Sequence, residues 1–303
     1  MRKLLNAFFT ILMALILVFS LMRLSPGDPV ERILGPNATE KEIQVYREQL
    51  GLDKSFPVQL SQYLIGVVKG DLGVSLFKKR SVVELLKEHF VPTAIIAFLS
   101  VFLSALIGPF LGLYSALKKS RVQDSIIRII SLALLSFPIF SLAPILVLIF
   151  SIKWGLFPVS EWGGLDHIFL PVLTLVLPLG SILLRVSRNR FLEEINEPWV
   201  QVLHAKGLKE RGIHLRVAKA CLPTVLTVIG IQLSIVIAGT MITETIFDIP
   251  GIGTLLLDGI QNRDYPVVQG IIIYSMLVYM IIYFFFDYLG EKIDPRLKMT
   301  YDT

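Results

Sequence analysis

An all-α membrane protein with six transmembrane helices is the fold this sequence predicts, from three observations. More than half of its 303 residues are hydrophobic (54%) and only 17% are charged, where a soluble domain holds roughly a quarter. Its apolar residues gather in six stretches, each long enough to cross ~30 Å of hydrocarbon. Lysine and arginine are sorted to alternate connections between those stretches.

The first stretch, Leu4 to Met22, follows Met1-Arg2-Lys3. At about 19 residues it can span, and no small-x-small cleavage site follows it, so it reads as a retained first helix rather than a removed leader. From Leu24 to Pro92 the chain turns polar and amphipathic, with equal numbers of acidic and basic residues. Ser25-Pro26-Gly27-Asp28-Pro29 opens this insertion as a stack of turn formers. Thr39 and Glu42 form a capping box whose helix should stop at Gly51. Ser81 and Glu84 form a second, opening an amphipathic helix through Val82, Leu85, Leu86 and Phe90 that could lie along the membrane surface before the second span.

Five further stretches follow, near Thr93–Leu117, Ile126–Ile152, Ile168–Arg185, Ala220–Thr243 and Val267–Tyr288. Pro109, Pro138, Pro144, Pro171 and Pro178 interrupt the first three of these. In lipid such breaks persist only where neighbours or a cavity satisfy the freed backbone groups. They suit hinged helices or fixed kinks in a packed bundle equally.

Six spans place both termini on one side. One set of connections holds Arg2 and Lys3; Lys118, Lys119 and Arg121; Arg188, Arg190, Lys206, Lys209, Arg211, Arg216 and Lys219; and Lys292, Arg296 and Lys298. The opposite short loops hold Lys153 and Arg263. Both termini are therefore expected in the cytoplasm, with the insertion outside. Trp154, Phe157, Trp162 and Tyr265 fall near the outer ends, where aromatic anchors sit.

The longest polar interruption among the later spans runs from Asn196 to Pro223. Asn196 or Glu197 can cap a helix with Pro198 in its first turn. Trp199, Val202, Leu203 and Lys206 follow at helical spacing, Gly207 stops the helix, and a second short piece carries Leu208, Ile213 and Leu215. The result is a helix–Gly–helix elbow outside the bilayer, with an apolar stripe and a basic rim.

Catalytic chemistry is not visible. His89, His167, His204 and His214 contain no metal-type i, i+4 pair, no metal ligand set is expected, and no phosphate-binding Gly-x4-Gly-Lys-Ser/Thr loop occurs. The single cysteine, Cys221, excludes an intrachain disulfide and reads as a small apolar residue at the start of a span. The net charge of +5 has no basic face or aromatic ladder to suggest nucleic acid. Two carboxylates stand out against the cost of charge in a span. Asp287 lies near the inner end of the last one, within reach of water or Arg296. Glu244 lies at the outer end of the fifth, either at a pore mouth or bonded to backbone N–H groups of the Gly-rich loop that follows it.

Ala205-Lys206-Gly207-Leu208, closed by Leu222-Pro223, resembles the "EAA" loop of binding-protein-dependent ABC importer permeases, with Gln201-Val202-Leu203 where the family has Glu-Ala-Ala. Pro26-Gly27-Asp28-Pro29, Leu50-Gly51-Leu52-Asp53 and Gly70-Asp71-Leu72-Gly73-Val74-Ser75 resemble the peptide/nickel subgroup of that family. So do Glu244 to Gly253, Arg263 to Gly270 and Asp294-Pro295-Arg296. Together they cover essentially the whole chain.

The resemblance implies a type I ABC importer transmembrane domain, with a long extracytoplasmic insertion after the first helix. It divides the chain into 1–92 (first helix and insertion), 93–289 (a core with the coupling loop 188–219) and 290–303 (a cytoplasmic tail). It implies a permease without an ATPase site or bound cofactor, paired with a second, homologous permease. Two separate ATPase subunits would use the ATP, and an extracytoplasmic solute-binding protein would deliver a peptide or related solute. Glu197, Trp199, Leu203, Ala205, Lys206, Gly207, Leu208, Lys209 and Arg211 would meet an ATPase. Glu244, Asp248, Pro250 and Gly251 would form the outer gate.

A secondary transporter driven by an ion gradient is the main competing reading. It predicts midplane carboxylates and internal repeats, neither of which the sequence shows. A membrane scaffold or receptor would not need a Gly-centred cytosolic elbow.

Overall fold

The structure, a computed structural model, describes residues 2–24 and 29–293, with side chains from Phe9 onward. The turn-forming Pro26-Gly27-Asp28 and the Asp294-Pro295-Arg296 motif lie outside the described residues, as do Arg296 and Lys298. Helix α1 covers Arg2–Leu24, and short helices α2 (Pro29–Leu34), α3 (Glu40–Gln49) and α4 (Phe56–Val68) follow. Helix α3 begins as its sequence dictates. The Thr39 hydroxyl accepts from the Glu42 N–H and the Glu42 carboxylate accepts from the Thr39 N–H. Those bonds, the backbone one first, hold the Glu42 carboxyl below its ordinary range. After α3, Gly51 takes a left-handed φ of 65°.

Helix α5 runs unbroken over Val82–Leu117. The separate surface helix expected up to Phe90 is its first turns. Pro92 weakens the backbone there, but apolar faces on both sides are buried, Val82, Leu85 and Leu86 before it and Ile96, Ala97 and Val101 after it. Packing overrides the local break.

Next come α6 (Val122–Ser136) and α7 (Ile139–Leu146), the latter continuing as a π-helical segment over Val147–Lys153. The single span expected over Ile126–Ile152 is instead bent by 104°. Pro138 forces this: Phe137, the residue before it, is held extended (φ −80°, ψ 118°), and Pro138 itself sits at φ −62°, ψ 145°. Pro144 then removes a further N–H just ahead of the wider π turns.

Helix α8 (Leu165–Glu194) accommodates Pro171 and Pro178 without ending. Helix α9 (Pro198–Ala205) and α10 (Glu210–Ile237) form the elbow and the next long helix. Helices α11 (Met241–Ile246), α12 (Ile252–Gln261) and α13 (Tyr265–Ile293) complete the described chain. Of these, α5, α8, α10 and α13 are long and apolar enough to cross a membrane, and the bent pair adds a fifth if it is one span. The expected count of six rests on that pair and on α1.

The chain divides into two compact units. Residues 1–92 and 250–277 form one, and residues 93–249 with 278–303 the other. In the first, Val82, Leu85, Ile252, Leu255, Val267 and Ile271 make the buried core. In the second, α5 and α8 approach closely. A Cβ on Gly108 would stand 2.7 Å from the Gly180 carbonyl oxygen, and one on Gly112 would collide with that of Leu184. Gly108 and Gly112 are four apart, so one face of α5 carries no side chains there and the backbones can touch.

Candidate functional site

The elbow is built from the end of α8. The Glu194 carboxylate accepts from Arg190 Nη2 at 2.7 Å and from Trp199 Nε1 at 3.0 Å. The Asn196 amide donates to the Leu192 carbonyl at 2.6 Å. Asn196 therefore closes α8, and Glu197 occupies the N-cap of α9 with Pro198 first in the helix. Helix α9 ends in a Schellman motif. Leu208 N–H bonds to the Leu203 carbonyl and Gly207 N–H to that of His204, with Gly207 at φ 72°. Leu203 and Leu208, the two ends of that motif, pack on the same core with Trp199, around Val200, Ile213, Val217 and Cys221. The stop at Gly207 is where the sequence places it.

Two expectations change. The second piece of the elbow is not a short helix but the start of α10, because Ile213, Val217 and Cys221 recur every four residues on one buried face and carry the helix onward without a break. Trp199, Leu203 and Leu208, proposed as docking side chains, turn inward and hold the elbow's shape. The outward surface is made by Glu197, Ala205, Lys206, Gly207, Lys209 and Arg211, all exposed, with two apolar residues among them, Val202 (52% exposed) and Leu215 (61%). Helical spacing could not settle which face points inward, since Val202 and Leu203 are adjacent and both apolar. Glu210 lies 3.5 Å from His204 and 3.6 Å from His214, linking α9 to α10.

A second polar centre, missed by sequence reasoning, lies behind the elbow. Arg188 on α8 forks onto Asp124 at the start of α6, Nε to Oδ1 at 2.8 Å and Nη2 to Oδ2 at 2.9 Å. Ser115 of α5 donates to Asp124 Oδ1 at 2.6 Å, and the Ser120 N–H to Oδ2 at 3.3 Å. Ser115 and Asp124 are buried. Three helices are thus tied at one carboxylate. The signal was present: an acid two residues into a helix and an arginine just beyond an apolar run each require a partner near a membrane.

The outer-gate residues fall in both units. In the second unit α10 stops at Ile237, and Gly239 (φ 123°) turns the chain into α11. Glu244 on α11 is fully buried, at 0% exposure. Its Oε1 accepts from Thr93 Oγ1 at 2.9 Å and the Thr240 N–H at 3.4 Å. Asp248 is exposed in a left-handed turn (φ 51°), apart from that network.

In the first unit, Pro250 is exposed and Gly251 caps α12, its N–H donating to Thr254 Oγ1 at 2.9 Å. Beside it, Asp264 joins two of the distant sequence motifs. Its carboxylate accepts from Ser75 Oγ at 2.5 Å and from the backbone N–H groups of Leu76 and Phe77. Asp264→Ala should remove the acceptor of one buried hydroxyl and two part-buried N–H groups and lower stability by about 2 kcal/mol, measured as a drop in the thermal midpoint of the purified chain.

Asp287 lines a cavity of about 110 Å³ between α10 and α13, with Glu291, Tyr279 and Tyr283. Among the expected aromatic anchors, Trp154 is exposed, Phe157 stacks on Phe169 at 4.2 Å, and Tyr265 is buried.

These features define a polytopic helical membrane subunit with an internally braced polar elbow. Residues 108–299 match the family described as binding-protein-dependent transport system inner membrane component, and residues 1–97 match its N-terminal membrane component. A probable peptide ABC transporter permease protein of Sinorhizobium fredii is 33% identical over 308 residues, covering 98% of each chain. A glutathione transport system permease protein of Salmonella choleraesuis is also 33% identical, over 300 residues and 98% of each. Among solved structures, a chain of the MetNI methionine ABC transporter, in inward-facing conformations, superposes with a TM-score of 0.56 at 16% identity, over 70% of this chain and 97% of that one. The chain belongs to the binding-protein-dependent ABC importer permeases, in the peptide-permease subgroup. It is a multi-pass inner-membrane subunit of an ABC importer, without ATPase activity of its own, and not an ion-driven secondary transporter.

Proposed function

We propose that this permease forms a translocation pore with a second, homologous permease, and that two ATPase subunits grip the elbows between Glu197 and Arg211. The chain itself binds no ATP and no metal or other cofactor. Both termini and the elbow face the cytoplasm, and the segment between α1 and α5 faces outward, where a solute-binding protein delivers the cargo. Residues 1–92 supply the first helix and that outer insertion, 93–289 the pore core, and 290–303 the cytoplasmic tail. The cargo class is a peptide or small peptide-like solute, on the strength of what the two relatives are named for. Glu244, Asp248, Pro250 and Gly251 belong to the outer gate.

The observation that carries the coupling assignment is the elbow's construction. A Schellman-closed corner, braced by Glu194, Arg190 and Trp199, exposes Val202 and Leu215 on a surface that also carries Lys206, Lys209 and Arg211. Two exposed aliphatics on a rigid polar corner suit a protein groove. ATP binding can shift the pore only if that groove holds the elbow more tightly in one state than the other.

Val202→Glu tests this. The side chain points away from the core, so the membrane level should match the parent. Uptake and cargo-stimulated ATP hydrolysis should fall at least tenfold, with loss of ATPase co-purification in mild detergent. Parent-like uptake at normal expression would remove the elbow from the coupling role.

A further inference from the structure

Beside the Asp124–Arg188 fork lies a pocket of about 400 Å³ that neither the coupling elbow nor the outer gate uses. It is lined by Arg128 and Ser131 of α6 and by Arg185, Arg188 and Asn189 of α8. Three guanidiniums face it, against one carboxylate. That carboxylate is already spent: Asp124 takes both bonds from Arg188, while Arg128 stands 3.8 Å away and half exposed. Arg185 is exposed. The pocket thus carries a surplus of positive charge, with Asn189 as a further donor.

Ser131 also lines a second, almost wholly apolar cavity of about 280 Å³. Its walls come from Ile107 and Leu111 on α5, Ile130 and Leu134 on α6, and Leu177 and Leu184 on α8. The order of residues is consistent on both helices. On α6, Arg128 gives way to Ser131 and then Leu134; on α8, read backward, Arg188 and Arg185 give way to Leu184 and then Leu177. A cationic mouth at the elbow end of the bundle therefore leads into an apolar groove running along the helices.

We propose that this composite site binds one anionic phospholipid, its phosphate held by Arg128 and Arg185 with help from Arg188, and an acyl chain laid in the groove. The charge surplus selects an anion, as clustered cations near a membrane surface do. The groove selects a chain-bearing anion over free phosphate, because each CH₂ buried in it adds to the binding. A lipid seated there would bridge α6 and α8 next to the Asp124 tie.

The test is titration of the purified full-length chain, in mild detergent, with pyrene-labelled phosphatidylglycerol. Saturable binding should be competed at least tenfold better by unlabelled phosphatidylglycerol than by phosphatidylcholine, and not by millimolar inorganic phosphate. R128Q/R185Q should weaken it at least tenfold, with R128K/R185K recovering part of the loss. Leu134→Trp, which fills the groove and leaves the arginines alone, should weaken it independently. Undiminished binding by both R128Q/R185Q and Leu134→Trp would overturn the proposal. Competition by phosphate as strong as by lipid would reduce the pocket to a free-anion site and overturn it too. So would equal competition by phosphatidylcholine. Cross-linking of Ile130→Cys to a protein subunit instead of lipid would also overturn it, by placing a partner permease there.

Discussion

Asp124→Ala should destabilise the second unit by about 3–5 kcal/mol, the cost of leaving a buried guanidinium without its counter-charge. The Arg188 guanidinium donates two bonds to this carboxylate, and Ser115 and the Ser120 N–H donate two more. All four donors lose this carboxylate at once, and Arg188 Nε keeps its contact with Ser115 Oγ at 3.2 Å. The variant should show reduced membrane level and a lower thermal midpoint in detergent. Arg188→Met alone should be milder, because Asp124 keeps Ser115, the Ser120 N–H and the nearby Arg128. The double variant Asp124→Leu with Arg188→Met should recover most of the loss, since replacing a buried pair by apolar groups of similar size is often near neutral. If Asp124→Ala melts with the parent, the fork is not what ties α5, α6 and α8 together.

The second large effect is expected at Glu244. Glu244→Ala removes the carboxylate that accepts from the Thr93 hydroxyl and the Thr240 N–H and opens a void in a fully buried site. Lost bonds and cavity together should lower stability by about 2–4 kcal/mol. Glu244→Gln keeps the side-chain volume and a carbonyl oxygen where Oε1 sits, so it should lower the thermal midpoint less than Glu244→Ala does. That separates shape from charge. A normal melt with impaired uptake in Glu244→Gln would tie the negative charge itself to gating. Parent-like uptake in Glu244→Gln would make the residue a structural acceptor.

Local signals were legible and long-range pairings were not. The Thr39–Glu42 capping box and the stops at Gly51 and Gly207 follow from the chemistry of a few adjacent residues, and the structure has all three. Pro138 announced a break between α6 and α7, but the 104° bend depends on how the two helices then pack. The separate helix expected up to Phe90 instead runs on through Pro92, because burial on both sides of that proline outweighs one missing hydrogen bond. In the elbow, Trp199, Leu203 and Leu208 read as a contact stripe and instead form its inner support. An apolar stripe shows that a face is covered, not by what. Asp124 and Arg188 are 64 residues apart, and Ser75 and Asp264 are 189 apart. No spacing rule reaches that far; only the demand that a charge near lipid find a partner could have flagged Asp124 and Arg188.

The unbroken course of α10 from Glu210 to Ile237 has a mechanical consequence. Its 28 residues form a rod of about 42 Å at 1.5 Å per residue. The elbow end of this rod and the turn before Glu244 are one piece, with only Pro223 inside it as a point of give. A push that tilts the base by about 10° would swing the far tip by about 7 Å on that length. Force applied at Leu215, on the rod itself, therefore needs no relay of side chains to reach the other end. It arrives as rotation, amplified by leverage.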